Sequence, residues 1–481
     1  MMNCADSTGG SKFSSRLSLS LRNILYALSC LSIFVFMVIP NRHLFFMTGM
    51  PRLSFAAPLL AVVAALMFLG CKHLLRSEES WQSVLRENAP LLVFCLFNIA
   101  FVVIAYIHTG NGISLDNPNL LRWGFNFFLA QVAVLAAWYI GRKSAGMGNK
   151  ALGYVLVFTL TVMLGMLVAE FLHLSGLANY IGILIAEIND ISIRVHSLYI
   201  WHYPEPVRAQ GLAQYPSFYA FSALAAFCWA ISSKKMLFLR SSVVFLSVSI
   251  CFLTGTRTAY LAFILAALVF AVILIRRKEL IDWFRQHYLK IAVLLFALIV
   301  FLGGLSMLAE SSNVLRNIPR AEASGAVSPV VGSTGLLEGP YEQLHTAEDD
   351  LSRLELSYLL NEISSGRGEV WSEAFGVIMD NPLGTWEASG IVLQNAHAHN
   401  ELLNRWVTAG PLSVGLYLWF IFWLMFSARA VVAPRFPLML AVALITFGLF
   451  EVVFDQAIFA PAAMYILGFV TAKSPPKELS M

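Results

Sequence analysis

Charged side chains are scarce in this sequence: Asp, Glu, Lys and Arg together make up 12% of its 481 residues. A soluble domain carries about 25%, so this chain has too little polar surface to solvate a globule of its length. Cysteine is sparse as well, and its placement excludes a stapled extracellular domain. Cys4 lies in the N-terminal tail, Cys30, Cys95, Cys228 and Cys251 fall inside apolar runs, and Cys71 ends one. None is available to brace a long polar loop, and the Cys-x-x-Cys and Cys/His spacings of a zinc site are missing. Also missing are Asp-x-Asp, a glycine-rich phosphate loop with its lysine, and Gly-x-Ser-x-Gly, which argues against nucleotide-driven chemistry. No repeat of fixed period runs through the chain, so a solenoid is not indicated.

What is abundant is apolar sequence. Hydrophobic residues are 58% of the chain, and they come in long runs instead of alternating with polar ones. A bilayer core needs about 20 apolar residues per helix. The runs predict an all-α, polytopic transmembrane bundle of about twelve spans. They lie at 22–40, 54–70, 89–107, 122–141, 151–174, 213–231, 236–253, 258–275, 289–308, 409–427, 437–452 and 457–472. Met1 to Arg22 is polar and Ser-rich, so no cleavable signal peptide is expected and the first run reads as a retained span.

Loop charge orients the bundle. With the N-terminus inside, most of the 32 lysines and arginines, and every lysine, fall in cytoplasmic segments. The positive-inside rule then puts both termini in the cytoplasm. The expected organisation is a cytoplasmic tail (1–21), spans 1–9 (22–308), a periplasmic loop (309–408), spans 10–12 (409–472) and a second cytoplasmic tail (473–481). Within the loop, 310–344 is rich in Ser, Gly and Pro. Residues 346–363 have the spacing of an amphipathic surface helix. Residues 367–379 read as a further helix, stopped by Asn381-Pro382.

The strongest local signal is Ala396-His397-Ala398-His399-Asn400-Glu401-Leu402-Leu403-Asn404-Arg405-Trp406. Asn400 is a good N-cap, and the following residues favour helix until Gly410-Pro411. His399 then precedes a helix N-terminus, where the dipole attracts anions and keeps imidazole neutral and basic. That suits a general base beside a phosphate ester. An interfacial histidine pair capping a helix fits the spacing equally well, and a His-x-His metal site fits it less well, for want of a third ligand. Arg257 lies in the turn Thr254-Gly255-Thr256-Arg257, Arg208 before the Tyr215-Pro216 opening of a span, and Arg367 in Gly366-Arg367-Gly368. Guanidinium forks bind phosphate oxygens bidentately, though each of these arginines alone also reads as a snorkelling or loop-pinning residue. Glu170, Glu451 and Asp455, near outer span ends, could pair with the arginines or bind sugar, and pairing is the plainer role.

Taken together, Arg208-x-x-Gly211, Thr254-Gly255-Thr256-Arg257-Thr258, Gly366-Arg367 with Trp371 and Pro382-Leu383-Gly384, His399-Asn400 with Leu403, and Gly410 with Gly415 resemble the O-antigen ligase and polymerase superfamily. The likeness runs through roughly 205–425. One departure is Thr408, at a position where that family usually carries an acid. The resemblance implies a metal-independent, inverting glycosyltransferase of the bacterial inner membrane with its active site on the periplasmic side. It would need no cofactor, taking a glycan from undecaprenyl diphosphate and passing it to lipid A-core or another glycan. Membrane lipids are the expected surroundings, and no nucleic acid is expected. His399 would be the base, with Arg257 and Arg208 on the diphosphate; Arg367, His397 and Asn400 would complete the substrate site. O-antigen ligation, polymerisation of lipid-linked repeats and transport of a lipid-linked glycan are the readings to separate.

Overall fold

The structure is a computed structural model. It describes residues 8–38, 56–70, 81–109, 118–172, 216–233, 236–276, 296–297, 300–301, 368–387, 392–393, 398–428, 430, 433–454 and 460–472. Among the described residues every regular element is a helix. Each span expected from the apolar runs coincides with one, except 289–308, which lies almost wholly outside the described residues. Residues 346–363 also lie outside them.

The first half of the chain gives α1 (Thr8–Val38), α2 (Ala56–Gly70), the short α3 (Trp81–Glu87), α4 (Ala89–Thr109), α5 (Pro118–Ser144) and α6 (Asn149–Leu172). The second half gives α7 (Pro216–Ser232), α8 (Leu237–Thr254), α9 (Arg257–Arg276), α10 (Gly368–Asp380), α11 (Glu401–Phe422), α12 (Phe436–Gly448) and α13 (Ala460–Thr471). Five helices contain a stretch long and apolar enough to cross a membrane: Ser20–Val38, Asn149–Val168, Leu237–Thr254, Arg257–Ile275 and Glu401–Phe426. Shorter apolar helices accompany them. Large apolar side chains such as Ile107, Phe158, Ile264 and Phe426 point outward, which fits lipid and not water. The chain is an integral membrane protein.

Lipid tails are as apolar as leucine, so helices in a bilayer associate through close packing and hydrogen bonds, with small residues at the contact. The α5–α13 pair follows that rule. A Cβ placed on Gly141 would stand 2.0 Å from the Tyr465 carbonyl oxygen, and one on Gly468 would stand 2.0 Å from that of Trp138. The two backbones touch there. Beside them the hydroxyls of Ser29, Ser144 and Tyr465 hydrogen-bond to one another. α13 is buried along its whole length, and α7 is buried nearly throughout. Phe94, Tyr417, Phe420 and Phe454 pack together around the inner face of α11, Phe94 and Phe420 stacked and Phe454 edge-on to both.

α11 begins at Glu401, where the Asn400 cap predicts a helix, and continues past the expected span start at 409. The residues ahead of that span start include a charged pair, Glu401 and Arg405, that neutralise each other and are buried. Gly410-Pro411 does interrupt the helix: Ala409 (φ −129°, ψ 17°) and Gly410 (φ 67°, ψ −164°) are non-helical. Pro411 then restarts it at once, because a proline fits the first turn, where its missing N–H costs nothing.

Candidate active site

The site is built at the N-terminus of α11. Four backbone N–H groups there have no helical acceptor. The Asn400 side-chain oxygen takes two of them, from Leu402 and Leu403, at 3.0 Å each. Its amide nitrogen donates to the carbonyl of Leu449, 3.1 Å away on the turn after α12. One side chain therefore caps α11 and ties it to α12. The expected cap is present.

His399 precedes the cap with φ of +47°. A non-glycine residue in the left-handed region costs about 1–2 kcal/mol, and such residues persist where surrounding structure fixes them. Here Trp371 of α10 donates to the carbonyl of Ala398 at 2.9 Å, while Asn400 is fixed by its cap. The His399 side chain is 40% exposed, and its Nδ1 lies 3.9 Å from Oε2 of Glu451.

Beneath this surface lies a buried polar network. Glu401 forms an ion pair with Arg405, and its other oxygen accepts from the Val453 N–H at 2.7 Å. Arg405 donates to Asn98 of α4 at 3.1 Å and reaches the Ser413 hydroxyl at 3.5 Å. Its guanidinium also lies over the rings of Phe94 and Tyr417. Asn98 donates to Gln131 of α5, and Gln131 donates to the carbonyl of Phe454. The pair joins α4, α5, α11 and the 449–454 turn into one support under His399. Sequence reasoning missed it as a unit; the signal available was a Glu/Arg pair at i, i+4 next to an apolar run.

A second support comes from residues 381–387. The interruption at Ala409-Gly410 leaves carbonyls of α11 unsatisfied, and this segment supplies donors. Thr385 N–H reaches the Val407 carbonyl at 2.9 Å, Trp386 N–H reaches that of Thr408 at 2.7 Å, and the Trp406 indole reaches that of Pro382 at 3.0 Å. The approach is possible because both contact points are glycines: a Cβ on Gly384 would stand 2.3 Å from the Gly410 nitrogen. Both also have positive φ, +87° and +67°. Thr408 bonds back to the Asn404 carbonyl at 2.9 Å.

Arg257 is the first residue of α9 and is exposed. α9 and α12 pack along each other, and Arg435 at the start of α12 stacks on Phe270 of α9 at 5.2 Å. From Phe270 back to Arg257, and from Arg435 forward to Gly448, each helix travels about 20 Å. Arg257 thus lies at the end of the bundle where Gly448 meets Glu401. Phe221, near the start of α7, packs on Phe447 at 5.0 Å, so α7 also begins at this end. The other end of α11 holds a different set: Trp423 donates to the Glu87 carbonyl, and Arg142 lies 3.8 Å from the Glu87 carboxylate. Arg208, Arg367 and His397 lie outside the described residues.

The family described as O-antigen ligase matches residues 242–420. The match runs from α8 through α10 into α11 and includes Arg257, Arg367, His397, His399 and Asn400. Arg208 and Glu451 fall outside it. No curated protein matches the chain.

Proposed function

We propose that this chain, whose residues 242–420 match the family described as O-antigen ligase, transfers a glycan from undecaprenyl diphosphate to a sugar hydroxyl of lipid A-core. The reaction takes place on the periplasmic face of the bacterial inner membrane. The topology that goes with it has about twelve spans, both termini cytoplasmic and residues 309–408 outside. The distribution of lysine supports that orientation. The helical length of α11, about 30 Å, fits a bilayer core and supports its spanning the membrane.

The observation that carries the reading is His399, held in a left-handed backbone ahead of a capped helix at the bundle end where Arg257 opens α9. The acceptor hydroxyl gives its proton to His399 as its oxygen forms a bond to the anomeric carbon. The bond from that carbon to the diphosphate oxygen breaks, and the electron pair leaves with undecaprenyl diphosphate. Arg257 and Arg208 stabilise the charge that develops there, the task that electrostatic groups perform in other phosphate-leaving reactions. Arg367, His397 and Asn400 position the acceptor and the segment around it. With no carboxylate acting as nucleophile, the displacement is single and inverts the anomeric centre.

The test is purified protein supplied with labelled undecaprenyl-diphosphate glycan and, in separate reactions, lipid A-core or a second lipid-linked repeat. Label appearing on lipid A-core supports ligation. Label on the second repeat identifies a polymerase, and translocation without release of undecaprenyl diphosphate identifies a transporter.

A further inference from the structure

We propose that Glu451 is the positioning residue for His399: it fixes the tautomer of the imidazole and offsets the charge the ring gains during transfer. This rests on His399 being the base. The Nδ1 to Oε2 separation of 3.9 Å is an ion-pair distance and longer than a hydrogen bond. Contacts of this kind are often long before substrate arrives and shorten in the reacting complex.

What makes the contact a built feature is the backbone on both sides of it. Leu449, two residues before Glu451, accepts from Asn400, one residue after His399. Val453, two residues after Glu451, donates to Glu401, two residues after His399. Glu451 itself donates its N–H to the Phe447 carbonyl at 2.7 Å. Trp371 completes the arrangement, holding the Ala398 carbonyl and lying against the Phe450 ring. The turn and the helix start are thus tied on either side of the carboxylate–imidazole pair. The neighbouring carboxylate, Glu401, is committed to Arg405 and Val453; among the described residues Glu451 is the carboxylate that faces His399. The side chain of Glu451 is only 19% exposed.

The pairing answers a specific difficulty. A helix N-terminus disfavours positive charge, and the ring gains one as it takes the acceptor proton. A carboxylate facing Nδ1 offsets that penalty. It holds the proton on Nδ1, so the Nε2 lone pair is the one presented to the acceptor hydroxyl. When that hydroxyl proton moves to Nε2, the ring carries both protons and one positive charge, and Glu451 carries the balancing negative charge. The ring then returns the proton to solvent, which its exposed face reaches. Glu451 lies beyond residue 420, where the match to the O-antigen ligase family ends.

The test compares Glu451→Gln, Glu451→Asp, His399→Ala and the double variant His399→Ala/Glu451→Gln, measuring release of undecaprenyl diphosphate in the presence of acceptor. Glu451→Gln is expected to lower kcat by about 10²-fold, within the range of general-base effects, with the KM of donor and acceptor unchanged; Glu451→Asp is expected to fall between. The double variant is expected to be no slower than His399→Ala alone, since residues acting as a unit are not additive. A native kcat in Glu451→Gln, or losses that multiply in the double variant, overturns the proposal. Should Glu451→Gln fail to insert, Glu451→Asp carries the same comparison: reduced kcat at unchanged KM supports the pairing, and native kcat refutes it. A fully active His399→Ala would instead remove the base reading itself, an outcome distinct from failure of the Glu451 arm alone.

Discussion

Removing Arg405 while leaving Glu401 in place is the perturbation whose cost the structure predicts most sharply. Arg405 is 3% exposed and Glu401 fully buried. In Arg405→Met, one Glu401 oxygen keeps the Val453 N–H and the other loses its cation; Asn98 and Ser413 lose a donor. Breaking one side of a buried ion pair costs about 3–5 kcal/mol, or roughly 10²–10⁴ in the folding equilibrium. Glu401→Gln/Arg405→Met removes both charges, and the glutamine oxygen still accepts from Val453. Because a neutral replacement of a buried pair is often tolerated, the double variant is expected to be more stable than Arg405→Met. The assay is reversible unfolding of the purified protein in mixed detergent micelles, with all four members of the cycle. A coupling energy of about 1.5 kcal/mol or more supports the network. Additive single losses, or Arg405→Met within about 0.5 kcal/mol of the native protein, would refute it.

Three other outcomes follow from the same geometry. Gly384→Ala puts a Cβ 2.3 Å from the Gly410 nitrogen at φ of +87°; the left-handed strain of about 1–2 kcal/mol plus the clash should lower the thermal midpoint and turnover together. Asn400→Ala should cost about 1 kcal/mol for the lost cap, whereas Asn400→Asp should keep that stability and lose only the donor to Leu449, which the same unfolding assay separates. Trp371→Phe removes the bond to the Ala398 carbonyl, worth about 1 kcal/mol, and should reduce turnover more than it changes donor KM, since the indole steadies the backbone before His399.

Much of this was legible in the sequence where the determinants are local. Apolar runs predicted the helices, Asn400 predicted the start of α11, and Asn381-Pro382 predicted the end of α10, which the structure ends at Asp380. The determinants that escaped are long-range or depend on charge cancelling. Glu401 and Arg405 read as helical residues, but nothing local says that they are buried as a pair, because a buried charge is costly until its partner is known. Glu451 is far from His399 in sequence, and only the antiparallel return of α12 brings them together. Gly384 and Gly410 each read as breakers, and nothing in their spacing says that one backbone rests on the other.

The claim on which the account depends is that His399 takes a proton from the acceptor at the end of the bundle where Arg257 opens α9. The measurement is transfer from labelled undecaprenyl-diphosphate glycan by His399→Ala, purified at native yield with a native unfolding midpoint. The account predicts a fall of about 10²–10⁴-fold in kcat with the donor still bound. Transfer at the native rate would contradict it.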